Sequence, residues 1–421
     1  MERLTKKDHR QNLILNVFHE YFWGFGLAFH TTYAIVPLFL KTLGAPNGVV
    51  ISVAGLFSIL VALPQFLTTV LSRNRQNVKN LAIGVHLTAL PPIFMMWFVF
   101  AFFAPAGPSA WIYYYVCFIL YGLSVGMIIP IWAGFLRQIV KDKDRGRFFG
   151  ISFAYNSVGG FFGGIIVKIL LSSSLEFPKN FGWGFAVFFM SILIATILFF
   201  WMKVEKPNTP FVQKTVLDFL KETKHILNKQ YNFRRYLIAR AILTVNYPAI
   251  SLYAVFMQDK LGFDVSEAGI FTVINVVAYG MASYFAGLIG DRYGHKHAIT
   301  LAYISNMLAV MVALLVNTMA GVYLVFFFIG IGMGAFMPSA MNLVYSFAGK
   351  RDGKLFMALI DTTIAPFTLL SIVLAGIITQ LLGAVWTFYF IGIFLVLGVL
   401  ILILFVKDPA NNDEHTNNIL V

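Results

Sequence analysis

Twelve apolar runs of membrane-spanning length constrain this 421-residue chain more than any other feature. They lie near residues 13–40, 47–71, 80–104, 111–140, 147–171 and 181–202, then, after a polar stretch, near 234–258, 266–290, 298–318, 321–347, 355–381 and 384–406. A helix crossing a bilayer takes about 20 mostly apolar residues, so the runs read as twelve spanning helices with short connections and no room for a sizeable soluble domain. Composition agrees: 59% of residues are hydrophobic and 12% charged, against about 25% charged in soluble proteins. The predicted fold is an all-α integral membrane protein of two pseudo-symmetric six-helix bundles, residues 1–202 and 234–406, with a linker at 203–233 and a tail at 407–421.

A net charge of +13 would suggest nucleic acid in a soluble protein, but here the basic residues sort by side. Of 31 lysines and arginines, 26 fall on the leading tail, on every second loop and on the segment after the last run. Lys41, Lys179 and Lys260 fall on the other loops, while Lys168 and Arg240 lie inside runs. Cytoplasmic loops carry an excess of lysine and arginine, so both termini and the linker are expected in the cytoplasm and no nucleic-acid partner is expected. The polar start leads into a long run containing Glu20 without a small-residue cleavage site, which reads as a retained first span. The single Cys117 permits neither an internal disulfide nor a cysteine metal cluster.

The halves resemble each other. Gly122, Gly126 and Pro130 match Gly330, Gly334 and Pro338, the turns Arg145-Gly146-Arg147 and Asp352-Gly353-Lys354 follow at nearly equal distances, and Leu43-Gly44 matches Leu261-Gly262. Their parallel order points to a duplicated six-helix unit. In the linker, Thr209-Pro210 reads as a helix start. Val212, Val216, Phe219, Leu220, Ile226 and Leu227 then keep helical spacing among Lys214, Lys221 and Lys224, which suits an amphipathic helix on the inner leaflet or a solvated linker helix.

Between the eighth and ninth runs the chain reads Gly287-Leu-Ile-Gly290-Asp291-Arg292-Tyr-Gly294-His-Lys296. With twelve spans in a six-plus-six repeat and a long middle loop, this turn resembles the loop signature of the major facilitator superfamily of secondary transporters, and the resemblance covers nearly the whole chain. It implies two bundles rocking about a midplane cavity. It further implies that Asp291 faces the start of the fifth span, near Arg145 and Arg147, as a cytoplasmic latch. A helix start favours an anion by about 0.3–1 kcal/mol; topogenic charge without a gating role is the other reading. The matching turn from Arg73 to Lys79 has neither acid nor glycine, so one of two latches is absent. Gly150, Gly159 and Gly163 follow the beginning of the family's exchanger signature, which Gly164 breaks where proline is expected. As small residues they also suit close helix packing, with Ser283, Ala286, Gly287 and Gly290 of the eighth span as expected partners.

Ionisable residues inside a span cost about 2.5–3.5 kcal/mol on insertion scales and are functional candidates by default. Glu20, Arg240 and Asp361 stand out, each about seven residues into a run that starts on the cytoplasmic side. Arg240, Thr244, Tyr247 and Ser251 form one stripe at helical spacing, and His19, Glu20, His30 and Thr31 form one polar sector near Trp23. In the family the first, fourth, seventh and tenth spans line the pathway. The resemblance therefore adds Tyr121, Trp132, Asn342 and Tyr345 as cavity candidates and allows a Glu20–Arg240 salt bridge across the cavity. His86 and Lys168 are read as structural, Lys168 snorkelling to the outer surface. Pro37, Pro64, Pro130, Pro248, Pro338 and Pro366 are expected to kink or loosen their spans.

The expected activity is alternating-access transport of a small organic solute, driven by a proton on Glu20 or Asp361. Arg240 pairs with that carboxylate or holds an anionic group of the solute. A static charge network that fixes helix packing is the alternative for these three residues. A passive facilitator and a transporter-like receptor without flux are the alternatives for the whole chain. No nucleophile–base or metal constellation points to an enzyme, and no cofactor is expected. The expected partners are the solute, protons and the lipid of a bacterial inner membrane, with the chain acting as a monomer.

Overall fold

The computed structural model describes residues 4–72, 78–140, 145–204, 225–349 and 353–408, except the side chains of 66, 67, 69–72, 137, 145–147, 149, 353–355 and 358. The expected amphipathic helix lies outside the described residues apart from its end, 225–229, which is helical. Among the described residues there is no strand, and twelve helical spans are long and apolar enough to cross a bilayer. They are α1 (Lys6–Thr42), α2 (Asn47–Gln65), α3 (Val78–Phe103), α4 (Pro108–Leu136), α5 (Gly150–Leu171), α6 (Lys179–Trp201), α7 (Tyr231–Leu261), α8 (Glu267–Tyr293), α9 (His295–Leu315), α10 (Met319–Ala348), α11 (Leu359–Leu382) and α12 (Ala384–Phe405). The chain forms two compact units, Met1–Gln213 with Phe263–Val273, and Lys214–Gly262 with Ile274–Val421. The opening turns of α8 thus belong to the first unit and the rest of α8 to the second.

Several spans are not continuous helices. In α1 a short 3₁₀ turn at Ala28–His30 and an irregular stretch precede a second helix, Ile35–Thr42, and in α7 a turn at Thr244 and Val245 separates Tyr231–Leu243 from Asn246–Leu261. Proline accounts for part of this, because it has no N–H to give the carbonyl four residues earlier. In a bilayer that carbonyl must find another donor inside the protein. Two such carbonyls are served by a serine of a neighbouring span, and a third by a backbone N–H. Ahead of Pro92, the Thr88 carbonyl accepts from Ser124 Oγ of α4 at 3.0 Å. Ahead of Pro338, the Gly334 carbonyl accepts from Ser283 Oγ of α8 at 2.9 Å, whereas ahead of Pro248 the Thr244 carbonyl accepts from the Tyr247 N–H at 3.0 Å, with Ser371 Oγ of α11 at 3.3 Å and closer to the Thr368 carbonyl, at 2.8 Å. Pro338, expected to loosen its span, is tied to α8 at that point.

Each unit also closes with the same clasp. Asn12 of α1 donates to the Lys203 carbonyl at 2.8 Å and accepts from the Lys203 N–H at 2.8 Å. In the second unit Asn232 of α7 donates to the Lys407 carbonyl at 2.7 Å and accepts from its N–H at 2.8 Å. Lysines at the starts of α3 and α9 serve the exposed carbonyls that end α6 and α12: Lys79 Nζ donates to Phe200 and Met202 at 2.6 and 3.1 Å, and Lys296 Nζ to Ile403 at 2.8 Å. Positive groups belong at helix C-termini. The repeated glycines act alike as well. A Cβ at Gly126 would strike the Val61 carbonyl of α2, and one at Gly334 the Tyr279 carbonyl of α8.

The proline–serine pairing predicts a double-mutant cycle. Ser283→Ala should lower stability by about 0.6 kcal/mol, the average for a side-chain hydrogen bond between membrane helices. In a Pro338→Ala background residue 338 can donate again, so Ser283→Ala should cost nothing there. Thermal unfolding of the four proteins in detergent reads this out, and an equal cost in both backgrounds would contradict it.

Candidate functional site

In the first unit the site is built where α1 crosses α5. Cβ atoms at Gly24, Gly159 and Gly163 would collide with the backbone of Asn156, Tyr21 and Phe25 respectively, so the absence of side chains lets the two helices touch. That contact sets Asn156 beside Glu20, and Asn156 Nδ2 donates to Glu20 Oε2 at 3.1 Å. Glu20 is 3% exposed. Two sequence expectations change here. The partner of Gly159 and Gly163 is α1 rather than the eighth span, and Gly150 meets no neighbour. The glycine that does meet α8 is Gly164, against Gly269 and Val273 in the opening turns.

His19 lies next to Glu20 but points toward α6. Its Nδ1 is 3.0 Å from the Ala195 carbonyl; a carbonyl only accepts, so this nitrogen carries a hydrogen. The titrating nitrogen is then Nε2, 3.8 Å from Glu20 Oε1. His86 and Phe199 pack on the same ring at 5.6 and 4.6 Å, with Trp23 stacked at 5.9 Å. His30 is three turns away in a separate nest, where Nε2 meets the Tyr114 hydroxyl at 3.0 Å and the ring stacks on Phe188 at 5.3 Å. The sector read as one polar face is thus divided among α4, α5 and α6. Thr31 Oγ1 accepts from the Ile35 N–H at 3.0 Å and secures the break in α1. Tyr121 packs on His30 at 5.1 Å, and Trp132 lies 6.2 Å from Phe153.

In the second unit Arg240 is 8% exposed. It donates to the Tyr303 hydroxyl of α9 and stacks over the Phe336 ring of α10 at 4.3 Å. Asp361, Tyr236 and Tyr247 lie within electrostatic range of the guanidinium. Cation–π stacking of this kind contributes about 2 kcal/mol when desolvated. Thr244 and Ser251 are buried, and Thr244 offers its carbonyl to Ser371 of α11. Asn342 and Tyr345 are exposed. Among the described residues, Arg240 Nε, the Tyr121 hydroxyl and Trp132 Nε1 are buried without a hydrogen-bond partner. Buried polar atoms in folded proteins are usually satisfied, and these three are not.

The charges outside these centres also take definite positions. Lys168, read as snorkelling, instead forms an ion pair with Glu267 at 2.6 Å and donates to Ser266 Oγ at 2.8 Å. In the gating turn, Gly294 has φ +98°, which a residue with a side chain rarely adopts. A Cβ at Gly290 would strike His295, whereas Gly287 is open. Asp291 is 81% exposed and 3.9 Å from His295; Arg292 stacks over Tyr293 at 5.2 Å. The side chains of Arg145 and Arg147 lie outside the described residues. Asp408 accepts from the Lys296 N–H at 2.9 Å and so caps α9, since Gly294 at the cap position has no side chain to do so.

Comparison with known proteins accords with this architecture. The sequence profile of the Major Facilitator Superfamily matches residues 22–254 and 236–419. No curated protein sequence matches the chain. Among solved structures, the nucleoside transporter NupG aligns with a TM-score of 0.71 at 12% identity, over 95% of this chain and 100% of that one. A D-xylose-proton symporter aligns at 0.70 and 15% identity over 96% and 99%. A bacterial homologue of the human lysosomal transporter Spinster aligns at 0.65 and 15% over 95% and 97%. At these identities the likeness is one of fold. With the profile matched across both halves, the chain belongs to the major facilitator superfamily and is an integral membrane transporter, not an enzyme.

Proposed function

We propose that the chain couples the movement of a small organic solute to that of a proton. The carrying observation is a buried carboxyl, Glu20, whose hydrogen-bond partner is the neutral amide of Asn156. A carboxylate without a fixed cation in contact can gain or lose a proton as its surroundings change. Glu20 is the first proton carrier, with His19 Nε2 as its neighbour, and Asp361 is the second, under the influence of Arg240. Arg240 Nε, buried without a hydrogen-bond partner, supplies a hydrogen bond to the solute. Mixed charges suit an amphipathic solute with an anionic group at Arg240. The D-xylose-proton symporter among the fold neighbours shows that this architecture supports such coupling elsewhere.

In this reading the basic end of the bundle faces the cytoplasm of a bacterial cell, with both termini there, and the chain works as a monomer in the inner membrane. Residues 1–202 and 234–406 move as the two bundles, with 203–233 as their connection. Asp291 latches the cytoplasmic side when that side is shut. The Lys168–Glu267 pair lies at the opposite end and must break for that end to open.

Two outcomes follow. Solutes found by thermal stabilisation of the purified protein at two pH values should accumulate in liposomes under a pH gradient. Glu20→Gln and Asp361→Asn should each reduce that accumulation at least tenfold while sparing exchange at equal pH, and gradient-driven uptake in both variants would rule out coupling at these residues. Separately, in a Cys117→Ala background, Tyr33→Cys reports on the end carrying Lys168, since Tyr33 lies in the break of α1, 6% exposed and hydrogen-bonded to Thr272 of α8. Lys168→Met should speed its labelling by an impermeant thiol reagent severalfold, and an unchanged rate would show that the ion pair does not hold that end shut.

A further inference from the structure

Three ionisable side chains of the first unit meet inside the bundle: Glu20 and His19 of α1 and His86 of α3, exposed by 3, 2 and 1%. Each imidazole is fixed by one hydrogen bond. His19 Nδ1 donates to the Ala195 carbonyl at 3.0 Å, and His86 Nδ1 donates to the carbonyl of Ala82, one turn earlier in α3, at 2.7 Å. Carbonyls only accept, so both Nδ1 atoms carry the hydrogen and both Nε2 atoms keep a lone pair. The nest therefore holds two bases beside one acid.

The two oxygens of Glu20 are differently placed. Oε2 accepts from Asn156 Nδ2 at 3.1 Å, on the α5 side, whereas Oε1 lies 3.8 Å from His19 Nε2. Direct proton transfer takes about 2.6–3.2 Å, and such contacts are often longer before the working complex forms. A swing of the flexible Glu20 side chain closes the gap, while the His19 ring is held by Trp23 at 5.9 Å and Phe199 at 4.6 Å. A cation formed on that ring meets these aromatic neighbours and, at 5.6 Å, His86, which interacts with it electrostatically. Around the pair, α5 presents the Asn156 amide, α6 the Ala195 carbonyl and the Phe199 ring, and α3 His86. Lys79 lies seven residues before His86 in α3, about 10 Å along the helix, and turns its Nζ to the Phe200 and Met202 carbonyls. Among the described residues these leave Glu20 as the counter-charge of the cation and His86 as its neighbouring base.

We propose that His19 is the internal acceptor of the Glu20 proton and that His86 is a positioning residue that holds the proton there. The step balances within the nest: the O–H bond at Glu20 Oε1 breaks, the proton bonds to the lone pair of His19 Nε2, and a carboxylate and an imidazolium remain. Glu20 thus ionises on its α5 side without a proton leaving the bundle, and the three groups titrate as one unit. His86 stays neutral, because two imidazolium ions side by side repel, and its unprotonated Nε2 stabilises the cation on His19. The inference rests on the reading of Glu20 as a proton carrier.

Solid-state NMR of the full-length protein in liposomes, with isotope-labelled histidine, tests this, since it separates protonated from unprotonated imidazole nitrogens. A histidine signal that His19→Gln removes should gain a proton on Nε2 as the pH is lowered, over the range in which the Glu20 carboxyl titrates. Glu20→Gln, which takes away the counter-charge, should move that gain at least about one pH unit lower. His86→Leu should also lower the midpoint by about one pH unit, the size of a hydrogen bond to a charged group. His86→Gln, whose amide oxygen also accepts, should hold it. A His19 Nε2 that stays unprotonated wherever the Glu20 carboxylic-acid band titrates, or equal shifts in His86→Leu and His86→Gln, would overturn the proposal and leave Glu20 as a carrier. A carboxylic-acid band that Glu20→Gln does not diminish would overturn both. If the histidine variants do not fold, the spectra of the wild-type protein and Glu20→Gln decide.

Discussion

A bilayer offers no hydrogen bond to a stray carbonyl or charge, and the structure is organised around that constraint. An unsatisfied backbone group there costs several kcal/mol. The chain nevertheless places prolines inside its spans and ionisable side chains at their cores, so each disturbance needs a named partner. Ser124 and Ser283 take the carbonyls four residues ahead of Pro92 and Pro338, and the Tyr247 N–H takes the one ahead of Pro248. Asn12 and Asn232 take the backbone of Lys203 and Lys407 as the sixth and twelfth spans end.

Against that background the incompletely answered groups are the ones to which we assign the function. Glycines at the crossing of α1 and α5 bring Asn156 to Glu20, so a packing feature sets the polarity around a carboxylate. The corresponding centre of the second unit is built differently, with a tyrosine hydroxyl and an aromatic face around Arg240. The scaffold repeats while the sites do not. The clasps, the lysine caps and the glycine contacts recur in both halves, whereas the buried ionisable groups do not.

Much of this was legible in the sequence. Span count follows from hydropathy because the bilayer sets helix length, and the glycine–proline pairs of the fourth and tenth spans disclosed the repeat. Glu20, Arg240 and Asp361 stood out because so few charges enter the runs. What sequence spacing could not supply was the neighbour of each polar face. His19 and His30 have helical spacing compatible with one sector, yet meet different helices because α1 breaks between residue 28 and residue 34. Tyr303 and Phe336 lie 63 and 96 positions from Arg240 with no local signal tying them to it. Asp408 gave a faint one, an acid just beyond the last apolar run, opposite a glycine-capped helix start.

The central claim is that buried carboxyls in the spans change protonation as part of the working cycle. Infrared difference spectroscopy of the protein in liposomes, recorded across a pH titration, addresses it without knowledge of the solute. The account predicts a titrating carboxylic-acid band that Glu20→Gln diminishes and Asp361→Asn diminishes separately. A titration identical in the wild-type protein and both variants would contradict it.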